Sequence, residues 1–311
     1  MVVSGVLVVV ALPLLAVVVV LAAVVAGRRR SARLVFDSEA YPGLVALRRS
    51  TIALRWTGVV VGILAGVAVI GVGPLAPLAF ASPLVAGIVA VAALLVGQQL
   101  SYSGARSRGS AGVETRRLRD YVPVGLARRV GAATGVLLTV CLFLVIAASP
   151  DDLGRPGRAL TAAWVEHRWV ADQAGVLQRD DAFHSGATSP FPGSFYVPAV
   201  LGALALLLAL SVLGLWLTAR RPRNGGDPEL VRVDDALRRI TAEGIVAAAG
   251  AGIAGGVLAL SVVAYTRFGQ FPQVPVHVAC SYLGALVALG ALASTLAFAT
   301  TLLVPGNGNR R

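Results

Sequence analysis

The sequence predicts an all-α fold, a polytopic transmembrane helical bundle, and three observations carry that prediction. Hydrophobic residues fill 57% of the 311 positions and charged residues 14%, where an ordinary soluble domain is about one-quarter charged. The apolar residues stand in long runs such as VLVVVALPLLAVVVVLAAVVA, without the amphipathic period of a soluble core helix. The basic residues, finally, are sorted by loop. All 27 are arginine, and 22 of them fall in alternate segments between the apolar runs. A nucleic-acid-binding face would not follow that alternation, so nucleic acid is excluded as a partner despite the net charge of +12.

Seven stretches reach or approach the roughly 20 apolar residues that a bilayer-crossing helix needs. They lie at 5–26, 53–73, 82–98, 131–148, 196–218, 244–265 and 277–304. The first has no basic residues ahead of it and Arg28, Arg29 and Arg30 behind it, the reverse of a cleavable secretory signal. It is read as a retained anchor. The other six form three helical hairpins, with the short third and fourth spans borrowing interfacial residues. Arginines cluster after span one, between spans three and four, between five and six, and at the C-terminus. Positive-inside bias then predicts an N-out, C-in orientation.

Span two carries a glycine ladder. In ALRWTGVVVGILAG, Gly58, Gly62 and Gly66 fall every fourth residue and so share one helix face. Gly131 and Gly135 of span four align with Gly58 and Gly62, and span six has its own line through Gly244, Ala248, Gly252 and Gly256. A phosphate-cradling loop would need irregular backbone at a helix start. Small residues inside a span are instead a packing surface. The expectation is that spans two, four and six pack centrally through these strips, while Leu-rich span five, with Leu207, faces lipid.

The ladder continues into LAPLAFASPLVAGIVA, VGQQL and RRLRDYVP, and this region, residues 44–125, resembles actinobacterial multi-pass membrane proteins of unknown function. Arginine-only basicity and heavy use of Ala, Val and Gly fit a GC-rich genome. The resemblance implies a plasma-membrane location and supplies neither an activity nor a functional residue.

Two loops have character. The cytoplasmic segment 220–243 contains ELVRVDDALRRITAE, which sets Asp234 with Arg238, Asp235 with Arg239 and Arg239 with Glu243 at i,i+4. It is expected to be an interfacial helix meeting anionic lipids of the inner leaflet, with a protein partner on the cytoplasmic face as a further expectation. In the external loop 149–196, Leu160, Ala163, Trp164, His167, Val170, Ala171 and Ala174 recur at helical spacing. An amphipathic helix is expected there, with His167 on its apolar side, and SGATSPFPGSF as a loop beyond it.

The span interiors contain no Asp, Glu, Lys, Arg or His, apart from Arg55 and His277 at their edges. Ionisable residues inside spans normally mark transport or catalysis. Their absence argues against a bis-His haem, an aspartyl or HExxH intramembrane protease, a retinal lysine and a proton-coupled carrier. His277 stands four residues before Ser281, where a polar patch is simpler than a base and nucleophile. Cys141 and Cys280 lack CxxC spacing. The external loop holds one cluster suited to zinc, His167, Asp180, Asp181 and His184 beside Glu166, but its spacing matches no established motif, so a solvated turn is the expectation. No cofactor and no catalytic residue is predicted. The function expected is a non-catalytic accessory or scaffolding membrane subunit. The alternatives are a permease or channel-like transporter of an uncharged or lipophilic solute, and a membrane enzyme using the external loop.

Overall fold

The computed structural model describes residues 42–71, 73–103, 121–171, 177–220 and 228–304. The first expected span, 5–26, lies outside the described residues. Six helices are long and apolar enough to cross a membrane. α1 (Pro42–Gly71) runs through a 3-10 segment (Gly73–Ala81) into α2 (Ser82–Ser103). Then follow α3 (Val124–Ala147), strands β1 (Leu160–Ala171) and β2 (Leu177–Thr188), α4 (Val197–Arg220), α5 (Pro228–Phe268) and α6 (Pro275–Leu303). The six correspond to spans two to seven. Arg55 of α1 and Ile240 of α5 meet the end of α6, and the β-hairpin stands at the opposite end of the bundle.

α5 is the axis. Of its most apolar stretch, 72% is buried, against 22 to 39% for the other five helices. Ala247, Ala248, Ala249, Ile253, Ala254, Val257 and Leu260 are all buried, so contacts surround the helix rather than marking one face. Small residues make this possible. A Cβ on Gly252 would stand 3.1 Å from Gly87 Cα of α2, and one on Gly284 of α6 would stand 3.1 Å from the Tyr265 amide nitrogen of α5. Such backbone proximity is the usual source of helix association in lipid, where apolar side chains gain nothing by leaving the hydrocarbon.

The ladder of α1 lies against α2. Added Cβ atoms at Gly58, Gly62 and Gly66 would stand 2.9 Å from Ala93 Cβ, 2.5 Å from Ala86 O and 2.9 Å from Ser82 O. Beyond that seam α1 is peripheral, with Val60, Leu64, Val67 and Ile70 exposed. Gly256 of α5 packs on Leu84 and Leu137.

Four expectations are corrected. Gly131 and Gly135 are exposed, with no described residue within 4 Å of an added Cβ. α3 instead turns Leu137, Cys141 and Leu144 inward, and at 100° per residue that face is roughly opposite the glycines. Spans two and four are therefore not central. Leu207 does not face lipid: it is fully buried, and its methyls fill the seam where Gly87 meets Gly252. Segment 228–243 is not a separate interfacial helix but the first part of the 41-residue α5. No proline interrupts it before Gly244, and at about 1.5 Å per residue α5 is roughly 60 Å long, twice the hydrocarbon thickness. The expected amphipathic helix of loop 149–196 is a β-hairpin, described below.

These positions rank three substitutions. Gly62→Leu should cost about 1–3 kcal/mol by overpacking against the Ala86 carbonyl, and Leu207→Ala about 2–5 kcal/mol by leaving a cavity. Gly135→Leu should be near neutral. Thermal unfolding of the purified protein in detergent checks the order, and a Gly135→Leu loss as large as that of Gly62→Leu would contradict the assigned faces.

Candidate functional site

The hairpin holds every residue of the expected zinc cluster. β1 and β2 pair antiparallel in a twelve-residue register from Leu160↔Thr188 to Ala171↔Leu177. The stretch fits a helical spacing, yet it also alternates: Leu160 and Ala162 are buried and Trp164 half-buried, while Thr161, Ala163 and Val165 face out. Val, Trp and Phe suit a pleated surface, and Arg168↔Asp180 and His167↔Asp181 place opposite charges across from each other. One segment alone satisfies both periods, and the partner strand decides for the sheet. SGATSPFPGSF accordingly begins in β2 and becomes loop only after Thr188.

The base of the hairpin is fixed to the bundle. Trp164 packs on Phe271 at 6.3 Å between centroids. Arg267 donates to the Thr188 hydroxyl at 3.0 Å. Arg158 lies 3.5 Å over the Phe195 ring.

Register divides the candidate residues between two faces, since opposed residues share a face and successive ones alternate. His184 lies on the bundle-side face, stacked on Trp164 at 5.7 Å and 3.3 Å from Glu166 Oε2. Asp180 shares that face through its pairing with Arg168. His167 lies on the outward face, exposed rather than turned to the bundle. Its Nδ1 is 2.6 Å from Asp181 Oδ1, and Arg179 Nε donates to the same oxygen at 2.7 Å. The four expected ligands do not converge, and no group of three His, Cys, Asp or Glu side chains suited to a metal occurs among the described residues. The outward face also exposes Val165, Trp169, Leu177 and Phe183 around the Arg179–Asp181–His167 cluster.

His277 and Ser281 do not form a pair either. Ser281 donates its hydroxyl to Tyr265 O at 3.0 Å. The His277 ring packs on Phe268 and Phe271 at 5.3 and 5.5 Å, leaving Nδ1 without a hydrogen-bond partner among the described residues. Cys141 and Cys280 are both free thiols.

A second cluster was only half legible. Arg55, expected at a span edge, is 2% exposed. Its NH1 donates to Leu302 O at 3.2 Å and its NH2 to Ile240 O, so one guanidinium joins α1, α5 and α6. Gly244 leaves room for it, since a Cβ there would stand 2.7 Å from NH2. Glu243 supplies attraction of opposite sign. Nearby, Arg238 is equally buried and bonds Asp234 Oδ2 through Nε at 2.9 Å and NH2 at 2.7 Å, while Tyr121 donates to Asp235 Oδ1 at 3.3 Å.

A groove of about 620 Å³ lies between α3 and α6 with α5 as its floor. Its walls are Ala, Val, Leu, Gly and Phe, with Arg129 and Ser294 as the polar exceptions. Compared with known proteins, the chain matches no family model, no curated protein and no solved structure.

Two expectations follow. Arg55→Ala should destabilise the protein by about 1–3 kcal/mol, because it removes the buried guanidinium that joins α1, α5 and α6 and takes from Leu302 O the donor it has at the end of α6. Arg55→Lys should recover little, since an ammonium cannot reproduce the guanidinium's planar fork. Thermal unfolding of both variants is the measurement, and a neutral Arg55→Ala would remove the clasp from the account.

The hydrogen bonds from Arg179 and then His167 hold the Asp181 carboxyl below its ordinary value. A carboxylate with a depressed folded value stabilises above the unfolded value, about 3.9, and loses that contribution as pH falls through the folded one. Hairpin protection from hydrogen exchange, corrected for intrinsic rates, should therefore decline only below the ordinary aspartate range. In Asp181→Asn that step should vanish.

Proposed function

We propose that this chain is a non-catalytic multi-pass protein of the plasma membrane that serves as an accessory or scaffolding subunit. The outward hairpin face carries the reading. Val165, Trp169, Leu177 and Phe183 are 46, 66, 64 and 74% exposed, two on each side of a charged cluster, and exposed apolar surface of this kind marks interaction sites. The charges between them already compensate one another, so covering this face with an apolar partner surface strands no charge. The sheet consists of β1 and β2 alone among the described residues, which leaves its outer edges available to a partner strand.

The arginine distribution supports an orientation with the hairpin outside and the arginine-bearing ends toward the cytoplasm and its anionic lipids. The resemblance to actinobacterial membrane proteins supports the plasma membrane. A permease has less support. Gln98 and Thr218 bond each other at 3.1 Å and Ser211 bonds Leu207 O at 2.7 Å, so these hydroxyl and amide groups are engaged within the bundle. The enzyme reading loses its residues to opposite faces of the hairpin.

The test places a photoreactive phenylalanine analogue at Phe183, and separately at Leu289 on the exposed side of α6, in native membranes. A discrete protein adduct is expected from position 183 alone, lost when Trp169→Ser is added. Adducts to lipid only, at both positions, would refute the subunit reading. Faster flux of a small uncharged solute through proteoliposomes than through protein-free vesicles would replace it with the permease.

A further inference from the structure

The groove between α3 and α6 has the dimensions and charge of a site for one lipid, and the geometry points to an anionic phospholipid, one acyl chain in the groove and its phosphate at Arg129. Along α3 the lining runs from Leu126 to Val136, and along α6 from Phe298 back to Val287. Ten or eleven helical residues at about 1.5 Å each make a trough roughly 15 Å long. That is half of the roughly 30 Å hydrocarbon core, the depth of one leaflet. The trough starts at the arginine-bearing end, so its deep end reaches mid-membrane.

The contents follow from the walls. Ala132, Ala133, Ala293, Ala297 and Gly290 present no polar side chain and little bulk. Ser294 spends its hydroxyl on Gly290 O at 2.8 Å. Along the trough no described residue rewards a polar solute, whereas an acyl chain arriving from the surrounding hydrocarbon loses nothing in solvation and gains dispersion contacts with the walls.

Volume and length separate a chain from a helix. A membrane-crossing helix about 10 Å across and 30 Å long occupies on the order of 2,400 Å³, whereas the groove encloses about 620 Å³. The groove also stops at one leaflet, which a spanning helix would not.

Charge then selects the headgroup. Arg129 lines the mouth and is exposed, with exposed Arg128 beside it, and among the described residues no acidic side chain lines the groove. Guanidinium and phosphate form bidentate, charge-assisted hydrogen bonds, and a basic residue at an anionic leaflet contributes about 1 kcal/mol. A zwitterionic headgroup carries its own cation beside the phosphate and gains less. The inference rests on the helices crossing a bilayer and not on the accessory-subunit reading, so either can fail alone.

The experiment uses the full chain in phosphatidylcholine vesicles doped with phosphatidylglycerol that carries a photoactivatable group near the chain terminus. The same chain on phosphatidylcholine is the comparison. Adducts should concentrate on Val136, Ala254 and Val287, with the phosphatidylglycerol probe favoured about fivefold. Arg129→Gln should bring the two probes level without changing thermal stability, since its side chain is exposed. Gly290→Phe should abolish groove labelling by both, and because nothing lies within 4 Å of a Cβ at Gly290, it should fold. Equal labelling by the two probes in the unaltered protein, or groove labelling that survives Gly290→Phe, would overturn the proposal. So would a crosslink between the groove and the segment 5–26, which would make the occupant a helix of this chain.

Discussion

Everything in the bundle depends on how closely other backbones can approach α5. In hydrocarbon there is no gain from hiding leucine, so helices hold together by dispersion and by the few polar contacts they can satisfy. Each atom pair contributes only about 0.1–0.2 kcal/mol at contact distance, and a gap of half an ångström to an ångström forfeits a quarter to a half of it. The AAAGAGIAGG run of α5 removes the side chains that would impose such gaps. α2 comes close enough for Gly87 and Gly252 to meet, and α6 for Gly284 to reach the Tyr265 backbone. Leu207 of α4 then closes the space that two facing glycines leave. The glycines set the spacing and the leucine fills it, which is why neither can be judged from its hydrophobicity.

The Arg55 clasp follows from the same spacing. Helix ends carry carbonyls without intrahelical partners, and a buried end must satisfy them otherwise. Leu302 O, near the end of α6, receives the Arg55 NH1, and the same guanidinium crosses to Ile240 O of α5 over Gly244. A side chain at position 244 would displace it. The cation is thus held between α1, α5 and α6 by a gap that only glycine leaves, with Glu243 supplying charge of opposite sign.

How much of this was legible in the sequence depended on whether a feature is local. Six spans are recognisable because hydropathy over about 20 residues is a property of one segment. Within a span, the face toward the protein is a relation between helices, and lipid removes the contrast between apolar inside and polar outside that reveals it in water. Gly62 and Gly135 sit in matching sequence contexts, yet one lies against Ala86 O and the other has open space. The difference lies in Leu137, Cys141 and Leu144, which turn the glycine face of α3 outward. The hairpin failed for a related reason. Trp164, His167, Val170 and Ala171 satisfy a helical period, and only pairing with LQRDDAFHSGAT shows that the period of two prevails. That pairing also separates His167 from His184, so the cluster that looked most like chemistry in one dimension divides in three.

The groove is the complement of the close contacts. α6 approaches α5 through glycine and serine, whereas α3 turns the larger Leu137, Cys141 and Leu144 inward, with Leu137 against Gly256 of α5. Two helices resting on a common third leave a wedge between themselves, and side chains must fill it if the bundle is to be solid. Here the walls that face each other are Ala132 and Ala133 on one side and Gly290, Ala293 and Ala297 on the other. Their summed bulk cannot bridge the wedge. A void lined by apolar atoms forfeits its dispersion contacts unless something slides in, and in a bilayer the nearest material of matching polarity and width is an acyl chain. The small residues that let α5 gather its neighbours therefore also leave a seam that none of the described residues closes.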